Sequence, residues 1–207
     1  MDSRERLPVK LSGWLMASSS TTSFESPAQE TLTARSEHLE LIAATLPLVQ
    51  AEMSSGVKLG SLLRAEIENW PPPLNEEHSL QWTFERLQSY PQHAGFFSWY
   101  VVLVEEHRCL LIGLVGMKGP PDEHGIVEVG YSILEKFQRR GFGSEATLAL
   151  IHWAFQNPDV KQITAETFPE LTPSIRVMER CGMTFLAPGS EPGTIRYGIT
   201  RETFLGI

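Results

Sequence analysis

The residues most suited to chemistry are Gln138-Arg139-Arg140-Gly141-Phe142-Gly143, two cations and a spaced glycine pair ahead of an Ala/Leu-rich run. A helix start leaves several backbone N–H groups unpaired and carries the positive end of the helix dipole. Glycines there let an anion reach the backbone without meeting a β-carbon. The spacing is neither Gly-x-Gly-x-x-Gly nor a Gly-Lys-Ser/Thr phosphate loop. Taken alone, the hexapeptide predicts anion binding at a helix start, with a plain strand–helix turn as the other reading.

Such a loop needs a strand before it and a helix after it. Val127, Val129, Tyr131 and Ile133 alternate with Glu128, Gly130 and Ser132, which predicts a strand over 126–134. Leu148, Ile151 and Phe155 stripe a helix over 144–155. Further strands are expected over 38–43, 97–104, 109–118, 162–167, 184–187 and 195–200. Helical spacing predicts helices from Pro47 to Met53, over 57–69, and over 76–90, the last two separated by Trp70-Pro71-Pro72-Pro73-Leu74. A short helix over 172–181 opens on Thr172-Pro173 and stops at Gly182. Residues 1–30, with a hydroxylated run over 18–23, read as a flexible or loosely docked leader, and 31–207 as one α/β domain.

Composition narrows the partners. The 207 residues carry 25 acidic and 17 basic side chains, a formal net charge of −8. Nucleic acid and anionic membranes reward basic patches, so neither is expected as a partner, and a cationic amine suits the chain better. Leu11 to Ala17 is far short of the roughly 20 apolar residues of a span, and a cytoplasmic location is expected. The six scattered histidines and the two cysteines, Cys109 and Cys181, form no ligand spacing, so no metal is expected and the thiols read as buried.

Two segments in order carry a more specific signal. Val127-Glu128-Val129-Gly130-Tyr131-Ser132-Ile133 followed by Gln138-x-x-Gly141-x-Gly143-Ser144-Glu145-Ala146 resembles the cofactor motif of the GNAT family of N-acetyltransferases. Residues 169–183 resemble a later segment of its ribosomal-protein acetyltransferase (RimJ/RimL-type) branch. The resemblance covers about residues 36–204 and is strongest after Val127.

That resemblance implies a mixed, mostly antiparallel sheet of six to seven strands, splayed between the fourth and fifth and flanked by helices. It implies transfer of an acetyl group from acetyl-CoA to a primary amine, on a protein N-terminus or a small molecule, by a monomer or homodimer. By matching position, Tyr131, Ser132 and Ile133 would pair with the pantetheine arm. Gln138, Arg139, Arg140, Gly141, Phe142, Gly143 and Ser144 would hold the pyrophosphate, and Phe168 and Ser174 would line the same cleft. Glu128 shares a strand face with Gly130 and Ser132 and is the candidate base, or else a surface or core-edge glutamate. Relatives place a polar contact where this chain has Leu171, and commonly a tyrosine acid where it has Met178. Ser174 is the candidate donor, with helix capping as its other reading, and Tyr131 reads as packed. Those two departures keep a non-catalytic acyl-CoA sensor open as the alternative.

Overall fold

The computed structural model describes residues 31–206 apart from positions 74 and 76. The leader expected over residues 1–30, and the readings placed on Leu74 and Glu76, lie outside the described residues. In chain order the described elements are β1 (Thr33–Arg35), β2 (Leu39–Ala43), α1 (Leu46–Ser54), α2 (Gly56–Leu63), β3 (Glu66–Ile67), α3 (Glu77–Ser89), β4 (Ser98–Val104) and β5 (Cys109–Met117). Then come β6 (Ile126–Ile133), α4 (Phe142–Ala154), β7 (Gln162–Thr167), α5 (Thr172–Arg180), β8 (Thr184–Pro188), β9 (Ile195–Thr200) and α6 (Arg201–Leu205).

The strands run in the order β1-β2-β4-β5-β6-β7-β9-β8, with β3 beside β5. Neighbours are antiparallel except β6 with β7 and β3 with β5. All seven expected strands form, and the sheet is wider than expected by the short β1 and β3. Its middle strands are covered on both faces, so β4 and β5 read as nearly continuous apolar runs. On β4, Trp99, Val101 and Leu103 enter the layer under α4, while Tyr100 and Val102 enter the layer under α1, α2 and α3.

Two helix readings are corrected. The helix expected over 57–69 stops at Leu63, where Arg64 takes a left-handed conformation (φ 53°) and Ile67 pairs with Leu111. Gly60 permits this, because a β-carbon there would meet the Ala65 carbonyl at 2.8 Å. The helix expected over 144–155 begins two residues earlier, at Phe142, with Gly141 as its N-cap. Cys181 is buried, and burial pushes its thiol up to about 12, whereas Cys109 is only half-buried.

Candidate functional site

β6 changes partner halfway along. Ile126, Val127 and Glu128 pair with Gln162, Ile163 and Thr164 of β7, whereas Val129 to Ile133 pair with Met117 to Gly113 of β5. Past Glu128 and Thr164 the two strands part, and β7 continues against β9 alone. The direction of the exposed backbone follows from alternation. Leu134 donates its N–H to Ile112 and Glu128 accepts from Lys118, so the even residues of β6 bond β5. Val129, Tyr131 and Ile133 therefore turn their N–H and C=O groups into the gap.

The glycine loop closes the far end of that gap. The side-chain amide of Gln138 donates to the Ile133 carbonyl at 2.8 Å, tying the loop to the strand. Arg139 (φ 59°) and Gly141 (φ 92°) are both left-handed, which turns the chain directly into α4. Among the described residues no side chain caps this helix. The first intrahelical bond is from Glu145 N–H to the Gly141 carbonyl, so Phe142, Gly143 and Ser144 present uncapped N–H groups. A β-carbon on Gly143 would meet only Val177 and Ile133, at 3.6 and 3.7 Å. The protein itself therefore has room for a methyl group at 143, and the glycine keeps the helix end bare. Ser144 Oγ is, among the described residues, a buried side-chain oxygen without a hydrogen-bond partner. An orphaned hydroxyl beside three free N–H groups fits an anionic group such as a pyrophosphate.

The charges around the helix start are arranged to suit this. Arg139 and Arg140 are exposed, and the Arg140 guanidinium lies 4.9 Å from the centre of the buried Phe142 ring. The nearby acid is engaged elsewhere: Glu145 accepts from Ser36 Oγ at 2.6 Å and from His38 N–H at 2.8 Å.

The candidate catalytic pair does not meet. Glu128 is half-buried and ion-paired with Lys118. It leaves β6 on the face toward α1, α2 and α3, opposite to Tyr131, which packs against the α4 layer. Ser174 instead meets Tyr131, whose hydroxyl donates to the Ser174 carbonyl and contacts Ser174 Oγ, both at 2.9 Å. Burial pushes the Tyr131 hydroxyl up to about 12, against the lowering effect of that hydrogen bond. Ser132 Oγ donates to the Pro73 carbonyl, so the proline loop crosses the even face of β6. Gly130, on the same face, is exposed, and nothing lies within 4 Å of where its β-carbon would be. Phe168 is exposed just beyond β7, with Gly193 beside its ring.

Three features of the site region leave no local mark in the sequence. The Tyr131 hydroxyl reaches Ser174, although periodicity marked Tyr131 only as packed. Glu166 of β7 accepts from Ser190 N–H, Ser190 Oγ and Arg196. Burial raises its carboxyl, but these donors outweigh that and hold it at about 2. Glu52 of α1 binds Trp70 and Tyr100. None of these contacts is local, so no spacing signals them. A pocket of about 470 Å³ opens between residues 68–73 and Leu134–Phe137, beside the end of β6. A larger groove of about 740 Å³ along α2 and β3 shares no residue with the gap.

Among known proteins, residues 58–184 match the model of the acetyltransferase (GNAT) domain. An uncharacterized N-acetyltransferase of Bacillus subtilis is 33% identical over 88 residues, which cover 42% of this chain and 51% of that protein. An acetyl coenzyme A-N(2)-transacetylase of Aspergillus fumigatus is 31% identical over 88 residues, covering 38% of this chain and 37% of that protein. These matches span about half the length of the first relative and less of the second. The solved ribosomal-protein S5 alanine acetyltransferase of Vibrio fischeri shares the fold, with a TM-score of 0.57 and 18% identity over 84% of this chain and 98% of that one. A GNAT-family acetyltransferase of Bacillus anthracis superposes with a TM-score of 0.55 and 21% identity over 83% of this chain and 99% of that one. With the domain match running over more than half of the sequence, through the β6–α4 junction described above, the chain belongs to the GNAT acetyltransferase family.

Proposed function

We propose that the protein moves an acetyl group from acetyl-CoA to a primary amine, on a protein N-terminus or a small molecule, by direct attack in a ternary complex. The observation that carries this reading is the parting of β6 from β7 after Glu128, with a bare helix start at its far end. In it, the pantetheine arm lies along the outward N–H and C=O groups of Val129 and Tyr131 and the N–H of Ile133, whose carbonyl is held by Gln138, in the manner of an added strand. The pyrophosphate sits on the N–H groups of Phe142 to Ser144, flanked by Arg139 and Arg140. The thioester then falls near Glu128 and Val129, where the gap closes.

The acceptor enters from the face on which Gly130 is open. Glu128 takes its proton, directly or through water, once Lys118 swings aside. That lysine side chain is 66% exposed, so the pair opens at little cost. With the Tyr131 hydroxyl donating to the Ser174 carbonyl, the Ser174 hydroxyl is free to give a hydrogen bond into the gap toward the departing thiolate. Named relatives support the amine: one transfers from acetyl coenzyme A to an N(2) position, and a structural neighbour acetylates an alanine of a ribosomal protein. A cytoplasmic enzyme, working as monomer or homodimer without nucleic acid or membrane, fits this reading.

A second reading, a non-catalytic acyl-CoA sensor, draws on the pairing of both carboxylates flanking the gap: Glu128 with Lys118 and Glu166 with Arg196. Thiol release from acetyl-CoA over a panel of N-terminal peptides, polyamines and aminoglycosides separates the two. The transfer reading expects turnover with at least one amine, falling at least tenfold in Glu128→Gln at unchanged acetyl-CoA affinity. Tight acetyl-CoA binding with no turnover across the panel would support the sensor instead.

A further inference from the structure

The face of the sheet that carries Glu128 holds another carboxylate, and its partners among the described residues are neutral. Glu52 lies on α1, and its two oxygens are both engaged. Oε1 accepts from Trp70 Nε1 at 2.6 Å, and Oε2 accepts from the Tyr100 hydroxyl at 2.7 Å. The two rings stand 6.4 Å apart, and Tyr100 is fully buried. An indole N–H only donates, so Trp70 needs an acceptor and Glu52 supplies it. Burial raises the Glu52 carboxyl, opposed by the two hydrogen bonds. Three separate parts of the chain therefore meet on one side chain: a helix, a central strand and the loop that starts at Trp70.

Register shows what this junction supports. Tyr100 is paired with Leu114, and Leu114 with Ser132, so the three share one row across β4, β5 and β6 and one face of the sheet. Tyr100 and Ser132 are two strand spacings apart, about 10 Å. The Trp70–Pro73 segment bridges that distance. Its first residue is bound by Glu52, and the carbonyl of its last accepts from Ser132 Oγ. Three consecutive prolines offer no N–H to the sheet, so the segment is held chiefly at its ends. The Ser132 end borders the gap, one residue pair along the strand from the open Gly130.

We propose that Glu52 is a positioning residue for the acceptor. By fixing Trp70 it sets where the proline segment stands over the even face of β6, and so shapes the side from which the amine arrives. This rests on the transfer reading above. Among the described residues the hydrogen bonds of Glu52 go to Trp70 and Tyr100, and neither belongs to the cofactor side built from the odd residues of β6 and the start of α4.

The test uses the full chain, with Glu52→Ala to break the junction and Glu52→Gln to keep its shape, since an amide still offers Trp70 an oxygen. Three readouts are taken together: acetyl-CoA affinity by calorimetry, kcat and KM for whichever panel amine the wild type turns over fastest, and the Trp70 indole N–H resonance, assigned with Trp70→Phe. The expected result for Glu52→Ala is a displaced indole signal, acetyl-CoA affinity within twofold of wild type, and acceptor KM raised about tenfold with a smaller change in kcat. Glu52→Gln should bring KM back to within about threefold. An acceptor KM unchanged in Glu52→Ala, or a KM that moves in step with acetyl-CoA affinity, overturns the proposal. Should the wild type turn over no amine, the transfer reading fails by itself. The indole signal then decides: unmoved in Glu52→Ala, it removes the junction, and displaced with recovery in Glu52→Gln, it keeps Glu52 as the anchor of the segment.

Discussion

Carboxylates on one face of the sheet show how neighbours assign roles to identical side chains. Glu128 faces an exposed lysine tip, Glu52 two neutral donors, and Glu166 a guanidinium, two hydroxyls and a backbone N–H. The last set binds the ionised form, which is why Glu166 is held at about 2 while burial alone would raise it. A carboxyl depressed on folding stabilises the protein above its unfolded pKa, near 4.3, and that contribution disappears as pH falls through the folded value. Glu166→Gln should therefore cost about 2 kcal/mol near pH 7, in the range for hydrogen bonds to a charged group. Urea-unfolding curves of variant and wild type should converge as pH drops from about 4.3 toward about 2. A difference that stays constant over that interval would show that the Ser190 and Arg196 contacts do not depend on the charge.

At the scale of elements, the strand–loop–helix that carries the site was legible, because its signals are local. Alternation marked β6, the two glycines marked the turn, and an apolar stripe marked α4. The gap itself was not legible from the residues. β6 pairs with β7 over only three residues and then turns to β5 alone, and pairing of that kind depends on register between distant segments. The same reason hides the brace from Tyr131 to Ser174, two residues 43 positions apart. The early helices were misjudged at Arg64, where a left-handed residue ends a pattern whose spacing runs on to Ile67. The brace has a consequence of its own. Tyr131→Phe removes the hydroxyl that joins β6 to α5 and leaves the Ser174 carbonyl without that donor. The expected loss is about 1 kcal/mol of stability. It should come with a fall in kcat larger than any change in acetyl-CoA affinity, since the strand backbone is untouched. An unaltered kcat would remove the Tyr131–Ser174 pair from the chemistry.

Over the whole molecule, one sheet covered by two apolar layers keeps two sides apart. One layer takes the odd residues of β6 and the start of α4, which the proposed transfer gives to the donor; the opposite face carries the even residues and the Trp70–Pro73 segment, which it gives to the acceptor. A net charge of −8 on a protein with two arginines at one helix start leaves a local positive site in an acidic surround. That contrast suits an anionic donor held at one place and a cationic acceptor drawn to the remainder. The proposed hold of the helix start at Gly141 to Ser144 on the pyrophosphate of acetyl-CoA is tested most sharply at Gly143. Gly141 is less suitable, because any β-carbon at φ 92° brings backbone strain of its own. At Gly143 there is room for a side chain, and an acid in the first turn of a helix is favourable. Titration calorimetry of acetyl-CoA into wild type and Gly143→Glu, with thermal melting of both, separates ligand loss from unfolding. Gly143→Glu should melt at an equal or higher temperature without ligand and bind acetyl-CoA at least thirtyfold more weakly; a cradle at this helix start requires both. Affinity equal to wild type in a variant that melts normally would contradict it.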